Sequence, residues 1–366
     1  MSKTWQYSLL LTIIGLFFIS ISSLFEAQKS LGDPNFFIKK QIIWIALGVT
    51  AMFITSKINL DFLRRHSFSL YVISILLLII VFIPSLGQKT FGASRWIDLG
   101  FLNFQPSEFF KLITIIFFPA LFTSQDKTSF KHLLIFLLPA FGLIVLEPNL
   151  STALLCAAII ISTYYLSGGQ LLPIFISFLI FSLLGIGLIF SSDYRKARFN
   201  TLANIQQNSN LNYHSQQIII SLASGGLSGR GIANSEQKYK FLPKISTDSI
   251  LAIIGEETGL IGLLALSYLF ISFITYLFKL ANMVTLLFEK VLISSFACWL
   301  SYQALINFSA IVALIPLTGI PFPFISYGGS SLLSIMAAAG LVANIERKYR
   351  HDKKNPNHWY SPHSRH

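Results

Sequence analysis

Long apolar runs with scarcely a charge inside them constrain this chain more than any other feature. Phe68 to Ile83, Leu133 to Leu146 and Leu171 to Phe190 are runs of this kind. A helix crossing a bilayer needs about 20 such residues. Hydrophobic residues make up 54% of the 366 and charged residues 11%, a balance that excludes an ordinary soluble domain. That apolar content accommodates about ten spans. The runs are continuous and lack the alternation of period two that a transmembrane barrel requires, so the spans are helical. The expected fold is an all-α polytopic integral membrane protein with spans near residues 7–25, 37–55, 68–84, 107–124, 131–147, 150–166, 171–191, 249–278, 287–314 and 325–343.

Lys and Arg set the expected orientation. With the N-terminus inside, fourteen of the 27 basic residues fall in cytoplasmic loops and ends, from Lys3 through Arg64 and Arg65 to Arg347 and Lys348. Seven others lie in residues 192–248, and a loop that long obeys the rule poorly. Lys39 and Lys40 fall on the wrong side. The reading is therefore a multi-pass membrane protein with both termini inside, its long external loop between spans 7 and 8. One domain is expected over residues 1–345 and a basic tail over 346–366, with no internal repeat and no soluble second domain. The net charge of +12 sits in short loops and the tail, which excludes nucleic acid as its cause. Cys156 and Cys298 fall inside spans as small packing residues. The four tail histidines lack a metal spacing.

Candidate residues follow from polar groups at membrane depth, which pair or serve function. Glu108 and Lys111, three apart after Pro106, share a helix face and read as an ion pair that orders the helix end or shapes a cavity. Asp248 ends the long loop where a helix opens, so it is either the N-cap or a general base at the external mouth. Glu256 and Glu257 lie about 12 Å further along that helix, where at least one needs a partner or a cavity. Arg195 and Arg198 either clamp phosphate or meet lipid headgroups. Gln217 precedes the glycine-rich turn Ser224, Gly225, Gly226 through Gly231, which offers backbone amides to an anion. Three prolines between Pro316 and Pro323 forbid one straight helix, and a helix starting near Ser326 would aim its positive end at the break. Arg95, Trp96 and Asp98 form an external cluster in which Trp96 fits an interfacial anchor.

Taken in order, these segments resemble the SEDS family of cell-wall polymerases, typified by FtsW, RodA and SpoVE. The resemblance rests on Arg95-Trp96-Ile97, Gln105-Pro106-Ser107-Glu108 with Lys111, Glu147 to Thr152, Ser224 to Gly231, Leu242-Pro243 with Thr247-Asp248, Gly255 to Gly259 and Thr318 to Ser331. It implies ten transmembrane helices and a peptidoglycan glycosyltransferase that joins lipid II disaccharides outside the membrane. Asp248 falls on the essential acid, which would deprotonate the acceptor hydroxyl while undecaprenyl pyrophosphate leaves, with inversion. Arginines or a divalent cation, Mg²⁺ or Mn²⁺, would hold the pyrophosphate, and no organic cofactor is implied. The substrate-binding set is Arg95, Trp96, Arg195, Arg198, Gln217, Ser224, Gly225, Gly226, Lys238, Ser326, Tyr327, Gly328, Gly329 and Ser330. Glu108, Lys111, Glu256 and Glu257 would shape the cavity. The implied partners are a class B penicillin-binding transpeptidase and other membrane proteins of division or elongation. Asn234-Ser235 with Gln237-Lys238 looks closer to the FtsW and SpoVE branch. Asn149, Ser151 and Ser249 depart from the pattern, which commonly has Asp, Gly and Phe there. Flipping of lipid II across the bilayer is the alternative function.

Overall fold

The computed structural model describes residues 2–83, 87–90, 93–98, 100, 103–124, 130–190, 210–235 and 249–354. Twelve helices lie among them: α1 Lys3–Leu31, α2 Phe36–Thr55, α3 Leu60–Arg65, α4 Ser67–Ile80, α5 Pro106–Phe122, α6 Phe130–Leu146, α7 Leu150–Leu166, α8 Leu171–Phe190, α9 Asn210–Gly225, α10 Ile250–Met283, α11 Leu287–Ile311 and α12 Gly329–Lys354. Ten occupy the ten expected spans. The short α3 and the loop helix α9 are the additions. Five described stretches are long and apolar enough to cross a bilayer: Lys3–Leu24, Phe36–Thr55, Ile250–Met283, Leu287–Ile311 and Gly329–Arg350. Of the shorter apolar helices, α4 packs against α5 and α6, and α7 against α5, α6 and α11. The protein is a multi-pass membrane protein.

Local chemistry sets the helix ends. Ser2 accepts a hydrogen bond from the Trp5 amide, and Gly32, at φ 72°, closes α1 in the left-handed conformation that glycine adopts freely. Asn59 caps the amides of Asp61 and Phe62 at the start of α3. Lys39, on the unexpected side by charge, is neutralised by Asp33 at 2.8 Å. That hydrogen bond, with one from the Asn35 amide, holds the Asp33 carboxyl below its ordinary value. Lys40 sits 4.6 Å over the Phe36 ring.

The central helix is α5, whose side chains are buried from Pro106 to Phe122 except Phe109 and Leu121. It packs against α4, α7, α11 and α12. The closest pairing joins α2 to α12, where Gly340 lets the backbones meet: a Cβ there would stand 2.3 Å from the Met52 carbonyl.

Two elements depart from expectation. Residues 87–104 hold a three-stranded antiparallel sheet of β1 Gly87–Thr90, β2 Ala93–Asp98 and β3 Asn103–Phe104, paired in chain order. At the other end α12 runs past the expected domain boundary at 345 to Lys354. Glu346 is fully buried and accepts from the backbone amides of Lys3 and Thr4 and from the Thr4 hydroxyl at 2.7 to 3.1 Å, while Arg350 pairs with it at 2.7 Å. The start of α1 and the end of α12 thus share one end of the bundle, which requires an even number of crossings.

Candidate active site

Two connected groups of interior polar residues hold residues singled out in the sequence. The first begins at α5, where Pro106 occupies the first turn and Glu108 and Lys111 pair at 2.7 Å, 4% and 1% exposed. The Lys111 ammonium donates to Gln303 Oε1 at 3.2 Å and lies 5.6 Å from the Trp299 ring centroid, and the Trp299 indole donates to the same oxygen at 2.7 Å. The Gln303 amide nitrogen then donates to the Pro321 carbonyl at 2.8 Å, and that of Asn307 to the Ile320 carbonyl at 2.8 Å. Two side chains of α11 therefore satisfy carbonyls that the proline-rich break leaves without helical partners.

The break ends later than the sequence suggests: α12 starts at Gly329, not near Ser326. The reason is a turn over 322–326, in which the Phe322 amide donates to Ser326 Oγ at 2.9 Å and the Ser326 amide to the Phe322 carbonyl at 3.1 Å. Gly329 touches the Trp44 indole so closely that a Cβ would stand 1.9 Å from it. Ser330, also buried, donates to the Asn103 carbonyl at 3.2 Å and accepts from the Gln105 amide at 3.1 Å, tying α12 to β3 and α5. Tyr327 is half-buried, its ring 5.4 Å edge-on from Phe37.

The second group surrounds α10. Its helix breaks at Gly259, at φ 68° and ψ −168°. The glycine-rich turn repairs the break with backbone alone. The amides of Arg230 and Gly231 donate to the carbonyls of Glu256 and Glu257 at 2.9 and 3.1 Å, and the amides of Leu260 and Ile261 to those of Gly226 and Leu227 at 3.0 and 3.2 Å. The amides expected to greet an anion are thus spent on α10, because a broken helix leaves groups that must be satisfied at this depth. A Cβ on Gly225 would meet the Gly255 carbonyl at 2.1 Å, and one on Gly229 the Glu257 carbonyl at 2.2 Å. Glu256, fully buried, accepts from the hydroxyls of Ser221 at 2.9 Å and Ser235 at 2.6 Å, with Arg230 at 4.0 Å. Glu257 is buried beside it. Ser224 donates to the Ser221 carbonyl at 2.9 Å, and Gln217 stands half-buried one turn earlier on α9. Gly259→Ala is expected to lower stability by more than about 1 kcal/mol, since its Cβ would lie 2.4 Å from the Gly229 amide nitrogen. Thermal unfolding of the purified variant measures this.

Comparison with known proteins agrees with this architecture. The profile of the FtsW/RodA/SpoVE family, described as cell cycle proteins, matches residues 1–351. The chain belongs to this family. Stage V sporulation protein E of Bacillus subtilis is 32% identical over 355 residues, 94% of this chain and 96% of that protein. A protein of Trichlorobacter lovleyi named "Probable peptidoglycan glycosyltransferase FtsW" is 31% identical over 342 residues, 92% of this chain and 90% of that protein. Among solved structures, one described as "Structural coordination of polymerization and crosslinking by a peptidoglycan synthase complex" superposes with a TM-score of 0.77 at 24% identity, covering 96% of this chain and 98% of that one. The rod shape determining protein RodA of Thermus thermophilus gives 0.70 at 23%, covering 94% and 96%.

In this FtsW/RodA/SpoVE protein, Arg95 is held in β2 and donates through Nε to the Glu147 carbonyl at 2.9 Å and through its terminal nitrogen to the Pro148 carbonyl. Trp96, on the same strand, pairs with Gln88 across the sheet and is half-buried. Asn149 caps α7 by accepting from the Thr152 amide at 3.4 Å, a task in which Asn serves as well as Asp. Gly328 has room for a Cβ, with its nearest neighbour at 3.6 Å. Asp248, Arg195, Arg198 and Lys238 lie outside the described residues. Ser249, next to Asp248, is buried at the N-cap position of α10. Sequence reasoning missed Gln303, Asn307, Ser221 and Ser235. Polar residues inside the apolar stretch 287–314 were a usable signal for the first two.

Proposed function

We propose that the chain is a peptidoglycan glycosyltransferase that polymerises lipid II at the outer face of the cytoplasmic membrane, with both termini cytoplasmic. The observation that carries this reading is the family match over residues 1–351, with relatives that bear the glycosyltransferase name. Charge supports the orientation: Lys3, Arg347, Lys348 and Arg350 cluster at the end where α1 begins and α12 finishes. Asp248, which precedes Ser249 and α10 in the sequence, takes the proton of the acceptor hydroxyl. The resulting alkoxide attacks the donor's anomeric carbon, and the bond to the pyrophosphate oxygen breaks from the other side. Undecaprenyl pyrophosphate leaves, with inversion.

The residues that carry the pyrophosphate in this reading are Arg195, Arg198 and Lys238 of the long loop. Among the described residues no three His, Cys, Asp or Glu come together as a metal-binding group. The loop residues that would meet the pyrophosphate lie outside the described ones, and no step is assigned to a divalent cation. Cross-linking belongs to the complex in which the related solved chain occurs, which supports a class B penicillin-binding transpeptidase as partner. Resemblance to the SpoVE and FtsW branch supports a setting in division or sporulation.

The test is polymerisation of lipid II by the purified chain, alone and with a candidate transpeptidase, read as glycan strands. Strands are expected with the partner present. No strands, together with passage of lipid II across vesicles, would replace this reading with lipid II transport.

A further inference from the structure

The end of the bundle that gathers Lys3 and Arg350 also holds a cavity of about 690 Å³ where α3, α4, α5 and α6 meet. Its volume falls within the range of about 300–1,000 Å³ that small-molecule sites occupy. Two kinds of surface line it. Asp61, Arg64, Arg65 and His132 supply polar groups, and Phe68, Phe117 and Phe136 an aromatic wall. The rings of Phe117 and Phe136 lie 5.1 Å apart and that of Phe68 lies 6.3 Å from each, with Phe117 buried at the base.

The polar groups are uncommitted to one another. Asp61 stands three and four residues before Arg64 and Arg65, a spacing that favours pairing on a helix, yet none of the three forms an ion pair among the described residues. Arg64 only reaches the Thr123 carbonyl at 3.5 Å and lies 5.6 Å from the Phe288 ring. The Nδ1 atom of His132 is enclosed without a hydrogen-bond partner among the described residues.

We infer that this cavity binds a glycerophospholipid whose headgroup carries an ammonium or hydroxyl beyond its phosphodiester, as in phosphatidylethanolamine or phosphatidylglycerol. The two guanidiniums match the phosphodiester, which Arg recognises through paired donors. Asp61 would repel a bare phosphate but accepts a hydrogen bond from the donor beyond it. His132 adds a further polar contact, and the phenylalanines take the upper part of an acyl chain. Helix ends at a basic bilayer face are a recurrent setting for such headgroups. The aromatic wall, set between membrane helices, favours a lipid over a soluble phosphate compound.

Native mass spectrometry of the purified full chain, after exchange in mixed micelles, tests the inference. Phosphatidylethanolamine and phosphatidylglycerol are compared with phosphatidylcholine, which has the phosphodiester but no donor beyond it. Wild type should retain the first two about tenfold over the third, the scale of one charge-assisted hydrogen bond. Asp61→Ala should remove that preference, and Arg64→Gln with Arg65→Gln should lower retention of all three. Lys57→Gln, at the same end but outside the cavity, should change nothing. Should the double arginine variant fail to fold, Arg65→Gln alone carries the test. Equal retention of the three lipids by wild type, arginine variants that hold lipid like wild type, or displacement of the lipid by inorganic phosphate would each overturn the inference.

Discussion

Asp248→Asn is expected to slow lipid II polymerisation by about 10²–10⁴-fold, the loss that follows removal of a general base. Asn separates the two roles open to this residue. It caps a helix as well as Asp does, and it matches Asp in size, so a variant whose acid mattered only for the helix end would keep its activity. Ser249 takes the N-cap position and the helix opens at Ile250, so the two variants of its neighbour separate a cap from a base. Asp248→Ala should lose activity to the same extent, with at most about 1 kcal/mol of stability if the side chain helps the helix end. The measurement is the rate of glycan-strand formation with the transpeptidase present, alongside thermal unfolding. Wild-type rates in the Asn variant would remove Asp248 from the chemistry.

The sequence made the spans legible because the bilayer imposes a length and a polarity that few residues can disguise. Ten apolar stretches became ten helices, with ends shifted by capping groups such as Gly32 and by the 322–326 turn. The sheet over residues 87–104 left no such mark: strands of 2 to 6 residues are too short to show a period. The end of α12 was hidden for a different reason. Glu346 to Arg350 looks like a solvated tail, and its partner Thr4 lies 342 residues away. Within the site, the Glu108 and Lys111 pair was readable from spacing alone. The glycine-rich turn was readable as a turn, but its task depends on the break at Gly259, and no local pattern links residues 226–231 to 256–261. Gln303 and Asn307 show the same limit, since their value lies in the carbonyls of Pro321 and Ile320.

Lys111→Met is expected to destabilise the protein by about 3–5 kcal/mol, the cost of leaving one member of a buried ion pair without the other. The two members are not equivalent. Without Glu108, the Lys111 ammonium keeps the Gln303 oxygen at 3.2 Å and the Trp299 ring at 5.6 Å. Without Lys111, the Glu108 carboxylate has no other cation within reach among the described residues, and it is 4% exposed. Glu108→Gln should therefore cost less than Lys111→Met. Joining the two substitutions should recover most of the loss, because neither charge then stays buried alone. Loss of Lys111 also removes one of the two donors to the Gln303 oxygen, and Gln303 is what anchors the Pro321 carbonyl. Trp299 still holds that oxygen at 2.7 Å, so the 316–328 segment should keep its path in the double variant. Thermal unfolding of the three variants in one detergent decides the matter: equal losses for the single variants, or no recovery in the double, would show that the pair is not the source of the stability.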